Sequence, residues 1–582
     1  MKRFRPGASF GDFVIKDSQS RRSRIADGEE RNFRRGWLVW MAVLIGMGII
    51  VARLVTLQIV YGQRYRLLSD ENRVKTVRIT APRGKILDRN GVVLADNLKE
   101  NIIKDGEIKS VYRRIYPLAE KTAHILGYLG EVAEDEVGLL KEAGSKYNVG
   151  DWVGRTGIEA VYEEELRGRD GGRLVEVDNR GEISRELGRG EPVPGQDIRL
   201  TAEAGLQETA TAAMDGKKGA VVVSAPATGE VLAMVSSPTY DPGLFATQLT
   251  AEGEAKVVQV LSDTDLPMFN RAIGGTYPPG SIFKMVTTAA AIDSGKVKPG
   301  FVYTDQGVIK VGTFSYYNWL FSKSGGTEGT VGFARALTRS TDTFFYTVGE
   351  MIGPDTIAEW GKRVGLTEKT GVDLPGETVG VMPNPEWKLE MKGERWFLGD
   401  TYIMSIGQGN ILLTPAEANR MTNVWATGGK KCPLHLISRN NPESKCDQVE
   451  VSSEALKLIK TGMVGACSPG GTAFPLFDWN EAAGQSSARS AYAERQNGEP
   501  LPLIGCKTGT AEYMTSEGKM RTHGWLTAFA PADNPQISVT VLMEGGGEGS
   551  NVATPVVRKI LAKYFAVTDT YPYGSIRQEI SE

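Results

Sequence analysis

Histidine is scarce in this sequence, and neither sign of charge is in large excess. The chain has 582 residues with only three histidines, and 68 Lys and Arg nearly balance 70 Asp and Glu. No histidine stands at a metal-ligand spacing from a cysteine or another histidine, so we expect neither a metal nor another cofactor, and serine chemistry would use a different base. The balanced charge gives no reason to expect a nucleic-acid partner. The length predicts two or three domains.

One long apolar segment lies near the N-terminus. Residues 36–52 carry no charge, and apolar character resumes after Arg53 through Tyr61. This pattern predicts a transmembrane helix over residues 36–61. A secretory signal is the competing interpretation, which the absence of a small-residue cleavage site after the run disfavours.

Arginine is abundant in the polar residues 1–35, which we predict to form a disordered tail. Because positive charge before a span favours the cytoplasmic side, the N-terminus is expected in the cytoplasm and the rest of the chain outside it. Four cysteines in an extracytoplasmic chain permit three disulfide pairings. Cys432 and Cys446 flank a polar loop and form the natural local pair, which leaves Cys467 to pair with Cys506.

Strand-like and helical patterns predict the domains after the span. Residues 62–196 contain a hairpin at Asn90-Gly91 and another around residues 179–181, which indicates a β-rich domain. A linker rich in proline at residues 192–195 precedes a second domain over residues 197–568, and residues 569–582 form a C-terminal tail. The second domain has strands at both ends and helices between them, an α+β arrangement. Its late strands are predicted at residues 501–506, 525–529 and 537–543.

The segment with the clearest chemical potential covers residues 277–284 and reads YPPGSIFK. Ser281 and Lys284 follow a Pro-Pro-Gly turn and precede an apolar run, which predicts the first turn of a buried helix ending at Gly295. Residues at this spacing lie about 5–6 Å apart on one helix face, so the lysine amine can reach the serine hydroxyl. Burial favours a neutral, basic lysine. Alone the pattern is weak, since S-x-x-K recurs at residues 516–519, and a lysine reaching out of a packed helix is the commoner interpretation.

A Lys-Thr-Gly sequence can supply a cation and a hydroxyl for a carboxylate-bearing substrate, and it occurs three times. Lys460 lies in an amphipathic helical pattern, and Lys369 precedes a proline-containing loop. Only the copy at residues 507–510 continues a strand pattern and precedes another one. On an edge strand these residues could face a ligand while backbone N–H groups pair with it. The predicted substrate-binding residues are therefore Lys507, Thr508, Gly509 and Thr510.

A serine element is needed for proton transfer, and Ser340-Thr341-Asp342 lies between two helical runs that would present it rigidly. Ser438-Arg439-Asn440 also fits S-x-N, but in a loop rich in Asn, Pro and Ser. Taken alone, Ser340 and Asp342 are more often helix caps than catalysts. Three motifs in one order on rigid elements are far less probable by chance than any one of them.

The ordered set YPPGSIFK, STD and KTGTAE resembles the penicillin-binding proteins, serine transpeptidases with the signature S-x-x-K, S-D-N and K-T-G. The middle S-x-D element resembles the elongation-type class B branch, penicillin-binding protein 2, as do PRGKILDRNG, GRTGIEAVYEEELRG, GVDLPGE and CSPGGTA. The resemblance extends over most of the chain from Pro82. It implies an α+β transpeptidase domain of the serine β-lactamase-like fold, with a sheet flanked by helices, on a β-rich pedestal.

The resemblance also implies a D,D-transpeptidase that crosslinks peptidoglycan stem peptides and is acylated by β-lactams. Ser281 would be the nucleophile, Lys284 the base and Ser340 the proton shuttle, with Asp342 orienting both partners. Lys507, Thr508 and Thr510 would hold the substrate carboxylate. The N–H groups of Ser281 and Thr510 would form the oxyanion hole.

The sequence departs from the family between Asn97 and Arg113. Only residues 98–112 lie there, whereas full-length members carry a head subdomain of roughly a hundred residues, a usual domain size. In that branch the head contacts the elongation machinery, and the implied partners include a SEDS-type glycosyltransferase. The alternatives are a division-type class B transpeptidase, a membrane-anchored D,D-carboxypeptidase or β-lactamase, and a β-lactam sensor.

Overall fold

The computed structural model describes residues 29–65, 73–104, 107–142, 147–178, 182–246, 251–438, 445–483, 490–515 and 517–573. The α-helices in these ranges are α1 (Glu29–Val55), α2 (Ala123–Leu126), α3 (Glu134–Glu142), α4 (Gly157–Val161), α5 (Glu163–Arg167), α6 (Ala204–Met214), α7 (Ala251–Ser262), α8 (Lys284–Asp293), α9 (Trp319–Ser324), α10 (Phe333–Arg339), α11 (Asp342–Ile352), α12 (Pro354–Arg363), α13 (Pro385–Lys392), α14 (Leu398–Ser405), α15 (Pro415–Thr427), α16 (Ser453–Ala466), α17 (Phe477–Ala483), α18 (Gly549–Val552) and α19 (Thr554–Tyr564).

The strands are β1 (Val74–Ile79), β2 (Ile86–Leu87), β3 (Val93–Lys104), β4 (Glu107–Ile115), β5 (Leu129–Glu131), β6 (Trp152–Gly154), β7 (Gly171–Val177), β8 (Ile183–Gly190), β9 (Ile198–Arg199), β10 (Gly219–Ser224), β11 (Val231–Ser237), β12 (Val302–Thr304), β13 (Val308–Val311), β14 (Phe314–Tyr317), β15 (Thr330–Gly332), β16 (Lys430–Lys431), β17 (Asp447–Gln448), β18 (Ala493–Arg495), β19 (Gly505–Met514), β20 (Met520–Ala530), β21 (Ile537–Met543) and β22 (Val567–Asp569).

One compact unit comprises residues 1–78 and 172–190. It contains α1 and a three-stranded sheet in the order β1-β7-β8. Within the described part of the chain, Gly36–Val60 is the one helical stretch long and apolar enough to cross a membrane, with 25 residues. The predicted apolar span is thus helical. The helix begins at Glu29, inside the predicted tail, and residues 1–28 and the hairpin tip at 179–181 lie outside the described residues.

The second unit comprises residues 79–171 and 191–582. A four-stranded sheet at its N-terminal end has the order β4-β3-β2-β9. Strands β3 and β4 pair continuously from Asp96 with Ile115 to Lys104 with Glu107. This pair of strands lies at the position where family members carry the larger head subdomain. Strand β9, directly after the predicted boundary at residues 196/197, pairs in parallel with β2.

A buried glutamate joins two of the segments that carried the family resemblance. Glu159, from the GRTGIEAVYEEELRG segment, accepts hydrogen bonds from Arg114 at 2.7 Å and Arg83 at 2.8 Å. Burial alone would raise the pKa of Glu159, but the charges of the two arginines hold it below its ordinary value. A paired buried charge of this kind is costly to disrupt from one side.

The main sheet of the second unit has five antiparallel strands in the order β11-β10-β21-β20-β19. Chain-distant strands meet in its centre, where Val221 of β10 pairs with Val541 of β21. One face packs against α6 and α19, and the other against the buried helices α8 and α15. This arrangement confirms the α+β prediction, and it leaves β19 at one edge of the sheet.

The strand predicted at residues 501–506 is wrong over its first four residues, because β19 begins only at Gly505. Pro502 has no N–H group to give to a sheet ladder. Side chains of α17 bind this segment instead: the Trp479 indole donates to the Pro502 carbonyl at 2.9 Å, and the Asn480 amide oxygen accepts from the Ile504 N–H at 2.9 Å.

The cysteines pair as the sequence favoured. The Cα atoms lie 4.1 Å apart in Cys432–Cys446 and 5.8 Å apart in Cys467–Cys506. We expect the purified protein to gain about four mass units on reduction, two for each disulfide opened, with peptide mapping showing these two pairs. Four free thiols before reduction would contradict the pairing.

Candidate active site

The residues 277–284 segment forms the turn and helix that its pattern predicted. A 3-10 turn at Gly280–Phe283 leads into α8, and Lys284, the first residue of α8, is fully buried. The helix ends at Asp293, and Gly295 follows with φ +71°, a left-handed conformation that suits glycine. Ser281 is half-buried at the start of this turn.

The backbone before Ser281 is held on both sides. The N–H of Tyr277 donates to the carbonyl of Leu413, and the reverse bond is also made, each at 2.8 Å. The indole N–H of Trp525, on β20, donates to the Pro278 carbonyl at 3.0 Å. The serine turn is therefore fixed to the main sheet and to the segment before α15.

Gly280 allows this turn to approach the edge strand. Its φ is +56°, and a Cβ atom at this position would lie 2.7 Å from the carbonyl oxygen of Thr510. Both the backbone conformation and the contact exclude a side chain. The N–H of Gly280 also donates to the Gly407 carbonyl at 2.7 Å. The structure thus brings the Ser281 turn and the Lys-Thr-Gly strand into contact.

The predicted Ser-x-Asp element completes the site. Ser340 ends α10 in a left-handed conformation with φ +58°, which is uncommon for a residue with a side chain, and Asp342 begins α11. The Lys284 amine lies 2.7 Å from the Ser340 carbonyl oxygen, 3.0 Å from Ser340 Oγ and 2.7 Å from Asp342 Oδ1. The Lys507 amine also lies 3.0 Å from Ser340 Oγ. The Ser340 hydroxyl therefore stands between two lysine amines.

Both lysines are fully buried, and this controls their protonation. Burial lowers the pKa of Lys284 below its ordinary value, while the charge of Asp342 and the hydrogen bond to it oppose the shift. Burial, and then the charge of Lys284, lower the pKa of Lys507 well below its ordinary value. One carboxylate thus neighbours two amines, which favours a neutral amine in the site, and a neutral lysine amine can act as a base.

The predicted substrate-binding residues lie on the edge strand. Lys507 is buried, Thr508 is 7% exposed and its hydroxyl lies 2.7 Å from that of Thr472, and Thr510 is half-buried. Thr472 belongs to the CSPGGTA segment, which sequence reasoning singled out only as part of the resemblance. The Lys-Thr-Gly copies at Lys369 and Lys460 lie in a loop and in α16, as predicted.

Sequence reasoning missed the residues that hold Asp342. The N–H of Asp342 donates to the Asn318 amide oxygen at 3.1 Å, and its second carboxylate oxygen accepts from the Trp319 N–H at 3.1 Å. Asn318 is in turn bound at 2.7 Å by Asp305, a buried carboxylate that also accepts from Thr343 at 2.7 Å. Single residues in a hairpin and a loop offer no spacing that would have revealed them.

Two sequence-based expectations stay predictions: the contact between the Lys284 amine and the Ser281 hydroxyl, and the loop position of the decoy motifs. Among the described residues, the hydrogen bonds of the Lys284 amine go to Ser340 and Asp342 rather than to Ser281. The decoys at Ser516 and at Arg439-Asn440 lie outside the described residues.

Replacing Asp342 with asparagine should move the acidic limb of the acylation pH profile to lower pH. The Asp342 charge raises the pKa of Lys284, so its removal lowers that pKa further and increases the neutral fraction at a given acidic pH. The measurement is the pH dependence of penicillin acylation, with Asp355→Asn, at an exposed first turn of α12, as the matched control. An unshifted limb would make Asp342 a helix cap instead.

Two stretches of this chain match families of known proteins. Residues 219–562 match the family described as penicillin binding protein transpeptidase domain, and residues 99–200 match the penicillin-binding protein dimerisation domain. Peptidoglycan D,D-transpeptidase MrdA of Escherichia coli K12 is 31% identical over 91% of this chain and 93% of its own length.

Solved structures are similar over most of the chain as well. Helicobacter pylori PBP2, in a complex with MreC, is 25% identical with a TM-score of 0.70, covering 85% of this chain and 99% of that one. A chain from a peptidoglycan synthase complex that coordinates polymerization and crosslinking is 30% identical with a TM-score of 0.69, covering 91% of this chain and 98% of that one.

Proposed function

The chain belongs to the penicillin-binding protein transpeptidase family, and we propose that it crosslinks peptidoglycan as a serine-type D,D-transpeptidase of the elongation type. The observation that carries this proposal is the convergence of two buried lysine amines on Ser340 Oγ, each at 3.0 Å, beside the Ser281 turn. A base of this kind suits acyl transfer to and from a hydroxyl. No observation on the described residues favours a division-type transpeptidase, a carboxypeptidase, a β-lactamase or a sensor.

In the acylation step, the Ser281 hydroxyl oxygen attacks the carbonyl carbon of the penultimate D-alanine of a stem peptide. The neutral Lys284 amine takes the hydroxyl proton, and the tetrahedral oxyanion is bound by the N–H groups of Ser281 and Thr510. Collapse breaks the peptide bond and forms the ester. Ser340 passes a proton to the departing amine of the terminal D-alanine and receives the proton held by Lys284, which returns to its neutral form. A β-lactam would acylate Ser281 in the same way.

In the second step, an amine of a neighbouring stem peptide attacks the Ser281 ester. The neutral Lys284 amine takes the proton that the attacking amine loses and gives it to the Ser281 oxygen as the ester bond breaks, and the new amide is the crosslink. The substrate carboxylate would lie against Lys507, Thr508 and Thr510. Its negative charge would raise the pKa of Lys507, which burial and the Lys284 charge otherwise hold well below its ordinary value.

The apolar helix at Gly36–Val60 suggests a membrane anchor. We place the N-terminus in the cytoplasm and the catalytic unit outside the membrane, from the arginines before the span. The two similar complexes support a role with elongation partners. A SEDS-type glycosyltransferase would supply the glycan strands.

Crosslinking by the full-length chain in detergent tests the function. Given donor stem peptides and an acceptor amine, it should release D-alanine and form crosslinked product, and it should hydrolyse β-lactams only slowly. D-alanine release without crosslinks would identify a carboxypeptidase, and stable acylation with neither product would identify a sensor. Rapid β-lactam hydrolysis would contradict the transpeptidase outright.

A further inference from the structure

The side chain of Gln408 lies against the outer edge of β19. Its amide oxygen accepts from the Glu512 N–H at 3.1 Å, and its amide nitrogen donates to the Thr510 carbonyl at 3.4 Å. A side-chain carboxamide has a C=O acceptor and an NH2 donor, so it can bind a backbone N–H and a backbone carbonyl at the same time. Gln408 therefore binds two backbone groups of the edge that an added strand would otherwise pair with.

The two backbone groups that the Gln408 carboxamide binds lie on the side of β19 that faces away from β20. In an antiparallel pair, the backbone groups of alternate residues point to the partner and away from it. Thr508, Thr510 and Glu512 share one such alternation, and the Thr508 carbonyl accepts from the Lys507 amine at 3.0 Å rather than serving only a neighbouring strand. With β19 at the end of the sheet, these groups form the edge to which a peptide can add.

The backbone of Gln408 is fixed, so its side chain is the part that can move. Its N–H donates to the Ile403 carbonyl at 3.0 Å, and the neighbouring Gly407 accepts from Gly280 of the serine turn at 2.7 Å. The side chain is half-buried. The 3.4 Å contact with Thr510 is longer than an ordinary hydrogen bond, so rotation of the side chain sacrifices little.

We propose that Gln408 competes with the acyl donor for the edge of β19, and that an extended stem peptide displaces its carboxamide from Thr510 and Glu512 when it binds. The inference rests on the proposed function, because it assumes that a donor peptide acylates Ser281 beside this edge. Only a donor whose backbone continues beyond the acyl group reaches this edge and has to displace the carboxamide. Gln408 is thereby a specificity-determining residue that weakens binding of such donors relative to donors without an upstream peptide.

Two thioester donors test this in the full-length chain: one with a stem peptide attached to the acyl group, and a propionyl thioester with no upstream peptide. Gln408→Ala should raise kcat/KM for the peptide donor about three- to tenfold, the range for removal of one competing hydrogen bond, and leave the propionyl donor within about twofold. The near-isosteric Gln408→Met, which has no amide group to donate to Thr510 or to accept from Glu512, should change in the same direction. Gln259→Ala, on the exposed α7, is the matched control and should change neither donor.

An unchanged or lower kcat/KM for the peptide donor in both Gln408 variants, or an equal rise for both donors, would overturn the inference while wild-type turnover upheld the proposed function. Failure of the wild type to accept either donor would overturn both together.

Discussion

Ser281→Ala should abolish covalent labelling of the full-length chain by fluorescent penicillin. The Ser281 oxygen is the atom that forms the ester, so its removal takes away the nucleophile of the acylation step. The expected loss is complete within the detection limit of an in-gel assay.

The matched control for this variant is Ser516→Ala. Ser516 begins the second S-x-x-K sequence of the chain, in a polar segment, so its replacement should leave labelling unchanged. Undiminished labelling of Ser281→Ala would refute the assignment of the nucleophile.

Lys284→Ala should lower the acylation rate by about two to four orders of magnitude, the usual scale for loss of a general base. The amine is fully buried beside Ser340 and Asp342, and burial lowers its pKa, so the wild-type rate should reach its alkaline plateau below the pH at which an ordinary lysine titrates. Stopped-time labelling over a range of pH measures both effects.

Lys284→Arg separates the base from the charge. Arginine keeps a positive group beside Asp342 but does not lose its proton in proteins, so this variant should be about as slow as Lys284→Ala. Lys460→Ala, in the Lys-Thr-Gly copy on α16, is the matched control. Wild-type acylation by Lys284→Arg would show that charge rather than proton transfer is what Lys284 supplies.

The sequence could predict the parts of this site that depend on local geometry. A serine and a lysine three residues apart share one helix face, and a Lys-Thr-Gly element flanked by strand patterns belongs to a strand. Context also separated residues 507–510 from the copies at Lys369 and Lys460. Each of these predictions uses neighbours along the chain, and the structure confirms the placement of each element.

The support of the site depends on residues far apart in the chain, and no local pattern indicates it. Asn318 binds the backbone of Asp342 across 24 positions, and Thr472 meets Thr508 across 36. Gln408 contacts the edge strand 102 to 104 positions away along the chain. Such contacts follow from packing, which one sequence does not reveal.

The error at residues 501–504 has a different cause. Leu501, Leu503 and Ile504 have the apolar character of a strand, but Pro502 cannot complete a ladder, and α17 provides other hydrogen-bond partners. Tertiary contacts therefore override strand propensity there.

The most direct test of the account is to locate the β-lactam adduct on the wild-type chain. After reaction with penicillin, intact-mass measurement should show one adduct per chain, and peptide mapping should place it on Ser281. An adduct on any other residue, or no stable adduct, would contradict the serine acyl-enzyme on which the proposed function depends.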